Sequence, residues 1–137
     1  MNDKSYEKQK KRVKKLFDKW RTPLGLGWWK ITIVYSREKS RGEGINGEHN
    51  TDIEGTWDIV FSTCSDFYYK IATITAFLPI IQNLSDENVE RYLLHECAHI
   101  LVTPMKHKDR ELQEELVATT IADTILWVVE ATKRKKI

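Results

Sequence analysis

The chain has 137 residues, a length that suits one compact domain, and we treat residues 1–137 as such. Hydrophobic residues make up 41% and charged residues 31%, which is near the globular average and argues against general disorder. No apolar run approaches the roughly 18 residues that a membrane span needs, and the polar start lacks the apolar core of a secretory signal. Cys64 and Cys97 are too few for a disulfide framework, so we expect a cytoplasmic protein with reduced thiols.

The formal net charge of +2 conceals an uneven distribution. Residues 1–20 hold eight Lys/Arg and three Asp/Glu, a net +5, and the run 133–136 adds +4, so residues 21–132 must carry −7. An acidic body argues against a nucleic-acid surface across the whole domain. Binding of phosphate or another acidic partner by the basic ends remains compatible with this charge distribution.

The first half of the chain predicts one helix and three strands. Apolar residues at three- and four-residue spacing predict a helix over 4–20, which Pro and Gly residues then end. β-branched and aromatic residues predict strands over 28–35, 57–61 and 69–77. The polar segment 36–55, which contains four glycines, predicts a long loop.

The second half predicts two helices. Ser85 is placed as the N-cap of a helix over 86–102, with acidic residues in its first turn and Pro104 as its stop. Helical spacing predicts a last helix over 109–133. The order helix, three strands, two helices predicts an α+β domain in which helices pack on a small sheet.

The pattern H-E-x-x-H at residues 95–99 lies inside the predicted helix 86–102. Residues four apart lie one turn above each other on a helix, so His95 and His99 can present two imidazole nitrogens to one Zn²⁺. Glu96 lies beside them and can take a proton from a metal-bound water. The alternative is that both histidines are hydrogen-bonded residues at the edge of the core.

A catalytic zinc usually has three protein ligands, and the sequence offers three candidates for the third. The metzincin pattern fails because Val102 and Met105 occupy its glycine and third-histidine positions. His107 lies beyond Pro104 in a lysine-flanked turn and is one candidate. Glu114 and Glu115, on the next predicted helix, are the other two.

Helical phase favours Glu115 over Glu114. Glu115 shares a stripe with small residues, Ala118 and Ala122 among them, which let two helices approach closely. Glu114 leads into a bulkier stripe that includes Val117. Either glutamate could also be an ordinary surface charge that the helix dipole stabilises in a first turn.

The residues 94–101, LHECAHIL, followed by 114–122, EELVATTIA, resemble the small gluzincin metallopeptidases. Within these, the chain is similar to minimal bacterial and phage proteins of the ImmA/IrrE group. The similarity extends over about residues 69–126. In that family the third ligand opens an E-x-x-A-x-x-hydrophobic-A helix, and Glu115 with Ala118 matches that spacing.

The resemblance implies a zincin fold with an edge strand that pairs with bound peptide, here residues 71–77. The chain departs from the family at the acidic partner four residues after the ligand glutamate, where it has Thr119; Asp123 lies one turn further and is a substitute. The residue that stabilises the oxyanion is not identified by the sequence. The candidates are His49, Tyr68 and Tyr69.

These observations predict a zinc metallopeptidase that hydrolyses peptide bonds in a protein or peptide substrate. His95, His99 and Glu115 are the expected metal ligands, and Glu96 is the expected general base. The first alternative is a non-catalytic zinc domain with a regulatory or interaction role. The second is a nucleic-acid-associated protein that uses its basic ends, and we expect no membrane partner.

Overall fold

The computed structural model describes residues 1–43, 50–51, 56–66, 69–102 and 110–135. These residues form an α+β structure with helices packed on a mixed sheet, which confirms the predicted fold class at that level. No helix in these ranges is long and apolar enough to cross a membrane.

Six strands form two small sheets. The first sheet has the order β1-β6-β5, with β1 at Lys30–Ser36, β6 at Ile71–Phe77 and β5 at Phe61–Asp66. β1 is parallel to β6, whereas β5 is antiparallel to it. The second sheet has the order β2-β4-β3, with β2 at Arg41–Glu43, β4 at Thr56–Asp58 and β3 at Asn50–Thr51.

The central strand β6 buries alternate residues, as a half-covered sheet requires. Ala72, Ile74 and Ala76 are at most 1% exposed, while the residues between them are only partly buried. The covered face belongs to one hydrophobic core, which also includes Val13 and Phe17 of the first helix. The sheet therefore has its core on one side.

Four α-helices and a 3₁₀ turn complete the described structure: α1 at Asp3–Arg21, the turn at Leu26–Trp28, α2 at Leu78–Ile81, α3 at Asp86–Val102 and α4 at Arg110–Lys135. α3 lies at the centre, since it packs against α1, α4 and β5. Ser85 caps it as predicted, because its Oγ accepts a hydrogen bond from the Asn88 amide at 3.2 Å. α3 thus spans the predicted residues 86–102.

Three predictions about strands were wrong. The predicted loop over 36–55 contains β2 and β3, although its residues 44–49 and 52–55 lie outside the described part of the chain. The predicted strand 57–61 straddles β4 and the start of β5, with a break at residues 59–60. The predicted edge strand 71–77 is the central strand of its sheet, flanked on both sides.

Candidate metal centre

α3 presents His95 and His99 on one face, as their four-residue spacing predicts. Their Nε2 atoms lie 2.9 Å apart, and their rings meet edge to face at a centroid distance of 4.7 Å. His95 is 4% exposed and the side chain of His99 is 14% exposed, so one histidine is deeper than the other. Among the described residues, His99 is therefore the more exposed member of a largely buried pair.

α4 brings Glu115 to the same site. Its Oε2 lies 3.1 Å from His95 Nε2, and its Oε1 lies 3.2 Å from His99 Nε2. The approach is possible because Ala118 and Ala122, the small residues on this face of α4, are buried with at most 1% exposure. The stripe of small residues in the sequence predicted this close contact between the helices.

The pairwise separations of the three side chains are close to those around a zinc ion. Two ligand atoms at 2.0–2.1 Å from a tetrahedral zinc lie roughly 3.3 Å apart. Here the two histidine nitrogens lie 2.9 Å apart, and they lie 3.1 and 3.2 Å from different oxygens of Glu115. Glu115 Oε2 is buried and has no hydrogen-bond partner among the described residues, although His95 Nε2 is near. Two imidazole nitrogens and a carboxylate oxygen are donors that zinc takes in proteins, so this donor set fits Zn²⁺.

The electrostatics of Glu115 also suit a ligand. Burial raises the pKa of its carboxyl, and the adjacent imidazoles of His95 and His99 more than offset this, so that its pKa lies below the ordinary value. The carboxylate is therefore ionised over the physiological pH range. An ionised carboxylate is the form that binds a metal.

Thr119 takes the position of the acidic partner that the family pattern places on this helix. Its Oγ1 lies 3.3 Å from His95 Nδ1. An Nδ1–H that donates to this hydroxyl leaves the lone pair on Nε2, the nitrogen that faces His99 and Glu115. Asp123, the predicted substitute, lies instead 3.9 Å from Arg91 in an ion pair.

Glu96 lies on the side of α3 that faces the sheet. It is 1% exposed, and its Oε2 accepts a hydrogen bond from the hydroxyl of Thr63 on β5. No sequence pattern indicated Thr63, because residues 62–66 are polar and lie beyond the predicted strand 57–61. Cys97, the next residue of the motif, is fully buried, and burial raises the pKa of its thiol to about 12.

The remaining candidates are not brought to this site by the described structure. His107, His49 and Tyr68 lie outside the described residues, and so does the side chain of Glu114. Tyr69 is described, and it is 76% exposed in the turn after β5. Among the described residues, His95, His99 and Glu115 are the three that could share a metal ion.

Comparison with known proteins adds no relative: no family model, no curated protein and no solved structure matches this chain.

Proposed function

We propose that this protein is a zinc-dependent metallopeptidase that hydrolyses peptide bonds in a protein or peptide substrate. The observation that carries the proposal is the convergence of His95, His99 and Glu115, whose ligand atoms lie within 4.8 Å of one another. A histidine pair on one helix and a glutamate on the next is the ligand set of the gluzincins, which the sequence resembles. Glu96 follows His95 directly in the same motif and is the carboxylate that the motif offers as a general base.

The roles follow from the chemistry of each group. A zinc ion held there would polarise the substrate carbonyl and lower the pKa of a coordinated water toward about 7. Glu96 takes the proton of the attacking water and later delivers it to the leaving amine. Thr119 fixes the tautomer and the orientation of His95 through the contact at Nδ1.

The proposed substrate strand is β5, which replaces the predicted 71–77. β5 is one of the two outer strands of its sheet and the one that packs against α3, whereas β6 is enclosed. An extended peptide that adds to the open edge of β5 would run beside Glu96, because Thr63 joins the two.

Metal content tests the proposed site. We expect close to one zinc per chain in tag-free protein measured by elemental mass spectrometry. His95→Ala loses the metal because it removes the imidazole ligand, and Glu115→Gln weakens its retention because it replaces the charged carboxylate by a neutral amide. Glu114→Gln is the matched control on the same helix and retains the metal. Wild-type protein that takes up no zinc, or equal retention in both glutamate variants, contradicts the assignment.

Hydrolysis of fluorescently labelled casein by the same protein preparations tests the proposed reaction. We expect Glu96→Gln to keep its zinc and to lose hydrolysis by about 10²–10⁴-fold, the usual contribution of a general base. Unchanged hydrolysis in this variant contradicts the mechanism. A wild-type protein that holds zinc but cleaves no casein favours the non-catalytic zinc domain instead.

A further inference from the structure

The hydroxyl of Thr63 is the described contact between the sheet and the carboxylate of Glu96. Thr63 lies in the middle of β5, opposite Ile74 of the central strand. Its side chain is on the covered face of the sheet, where Phe61 is also buried, and it donates a hydrogen bond to Glu96 Oε2. A donor on one oxygen fixes the plane of a carboxylate, and so fixes the direction of its other oxygen.

The amide and carbonyl of Thr63 lie in the plane of the sheet and point toward the outer edge of β5. Val60 accepts a hydrogen bond from the Phe77 amide at 3.0 Å, so these two residues form a hydrogen-bonded pair. Hydrogen-bonded and non-bonded pairs alternate along an antiparallel ladder, which makes Thr63 and Ile74, three positions further along, a non-bonded pair. The amide and carbonyl of Thr63 therefore point away from β6, where no described strand pairs with β5.

From these two observations we propose that Thr63 is a positioning residue that connects peptide binding at the edge of β5 to the carboxylate of Glu96. The backbone N–H and C=O of Thr63 offer a donor and an acceptor to an extended peptide. Its hydroxyl donates a hydrogen bond to Glu96, the general base. A peptide that pairs with Thr63 is thereby fixed in register with Glu96. This inference rests on the proposed function, but the hydroxyl contact can be tested without any substrate.

A contact of this kind acts on the rate more than on binding. Loss of the hydroxyl removes a hydrogen bond that orients the carboxylate of Glu96, which lowers the fraction of molecules with the base aligned. The backbone groups of Thr63 stay in place, so affinity for the peptide is retained. We expect kcat to fall about tenfold or more, but by no more than the about 10²–10⁴-fold that the general base itself contributes. We expect KM to change less than about twofold.

The experiment compares Thr63→Val, Thr63→Ser and Thr73→Val. Valine keeps the shape of threonine without its hydroxyl, and serine keeps the hydroxyl. Thr73 is a half-buried threonine on the adjacent strand β6 and serves as the matched control. The first readout is the carboxyl-carbon NMR signal of Glu96 in metal-free protein, assigned by its loss in Glu96→Gln. The second is the hydrolysis of labelled casein by zinc-loaded protein over a range of casein concentrations.

We expect the Glu96 signal to move in Thr63→Val and to stay in place in Thr63→Ser and Thr73→Val. The kcat for casein falls in Thr63→Val and is retained in Thr63→Ser and Thr73→Val. An unmoved signal in Thr63→Val overturns the proposal, as does an equal loss of kcat in all three variants. A wild-type protein that cleaves no casein counts against the proposed function alone, because the carbon signal still decides whether Thr63 holds Glu96.

Discussion

At the scale of single residues, the orientation of His95 depends on a neutral partner. Thr119 Oγ1 lies 3.3 Å from Nδ1, where gluzincins often have a carboxylate. A hydroxyl accepts the Nδ1 proton and so selects the tautomer, but it does not add negative charge that would raise the basicity of the ring. In the proposed site, this contact would orient His95 without adding charge to it.

Thr119→Val should lower zinc affinity about 10–100-fold, the usual effect of removing a hydrogen-bond partner from a ligand histidine. Thr119→Ser should preserve the affinity, because it keeps the hydroxyl. Asp123→Asn should also leave it unchanged, since Asp123 faces Arg91. Competition with a chromogenic chelator measures all three. A larger loss in Asp123→Asn than in Thr119→Val would assign the role to Asp123.

At the scale of elements, Arg12 attaches α1 to the segment between α2 and α3. Its Nη1 donates to the Ile81 carbonyl at 3.0 Å and its Nη2 to the Leu84 carbonyl at 2.6 Å. Its Nε donates to Asp86 at 2.6 Å, but the Asp86 side chain is 86% exposed, so solvent screens this ion pair. The two carbonyl bonds are therefore the stabilising part of the contact.

Arg12→Ala should lower the free energy of unfolding by about 1.5–3 kcal/mol, because it leaves two carbonyls without their charged donor. Arg12→Lys should recover only part of this, since an ammonium cannot reproduce the fork of a guanidinium. Asp86→Asn, the control for the ion pair, should cost less than about 1 kcal/mol. Urea denaturation measures the three values. Equal losses in Arg12→Ala and Asp86→Asn would show that the ion pair carries the stabilisation.

At the scale of the whole molecule, the candidate metal site joins α3 and α4, which pack against each other. The described apolar cluster that includes α4 has three buried residues, Trp20, Leu94 and Ala122, and four partly buried ones, Leu24, Ile125, Leu126 and Val129. A metal ion held by two ligands from α3 and one from α4 would add a second connection. Zinc binding should therefore stabilise the packing of α4 as well as supply the chemistry.

Zinc at about 100 times its dissociation constant should stabilise the fold by about 2.7 kcal/mol, because it binds the native state. For a chain of this size that corresponds to a rise in Tm of about 5–10 °C over protein treated with a chelator. The rise should shrink in Glu115→Gln and persist in Glu114→Gln. Thermal unfolding followed by circular dichroism measures it, and an equal Tm with and without zinc would refute the connection.

Local sequence patterns predicted the helices well and the polar strands poorly. The predicted helices 4–20, 86–102 and 109–133 match α1, α3 and α4 within a few residues, because apolar spacing on a helix is a local property. β5, with the sequence FSTCSD, was missed because its serines and threonine give no apolar alternation. Its position at the edge of the sheet also depends on pairing with β6, which no local pattern records.

The candidate site also contains residues that the sequence predicts and residues that only the tertiary structure identifies. The sequence by itself determined that His95 and His99 share a face, because the helical repeat fixes residues four apart, and the small residues of α4 indicated Glu115 over Glu114. Only the tertiary structure placed Thr63, 33 residues from Glu96, against that carboxylate and made β5 an outer strand among the described residues. The reason is physical. Periodicity fixes neighbours within one element, whereas contacts between elements are set by how their surfaces pack.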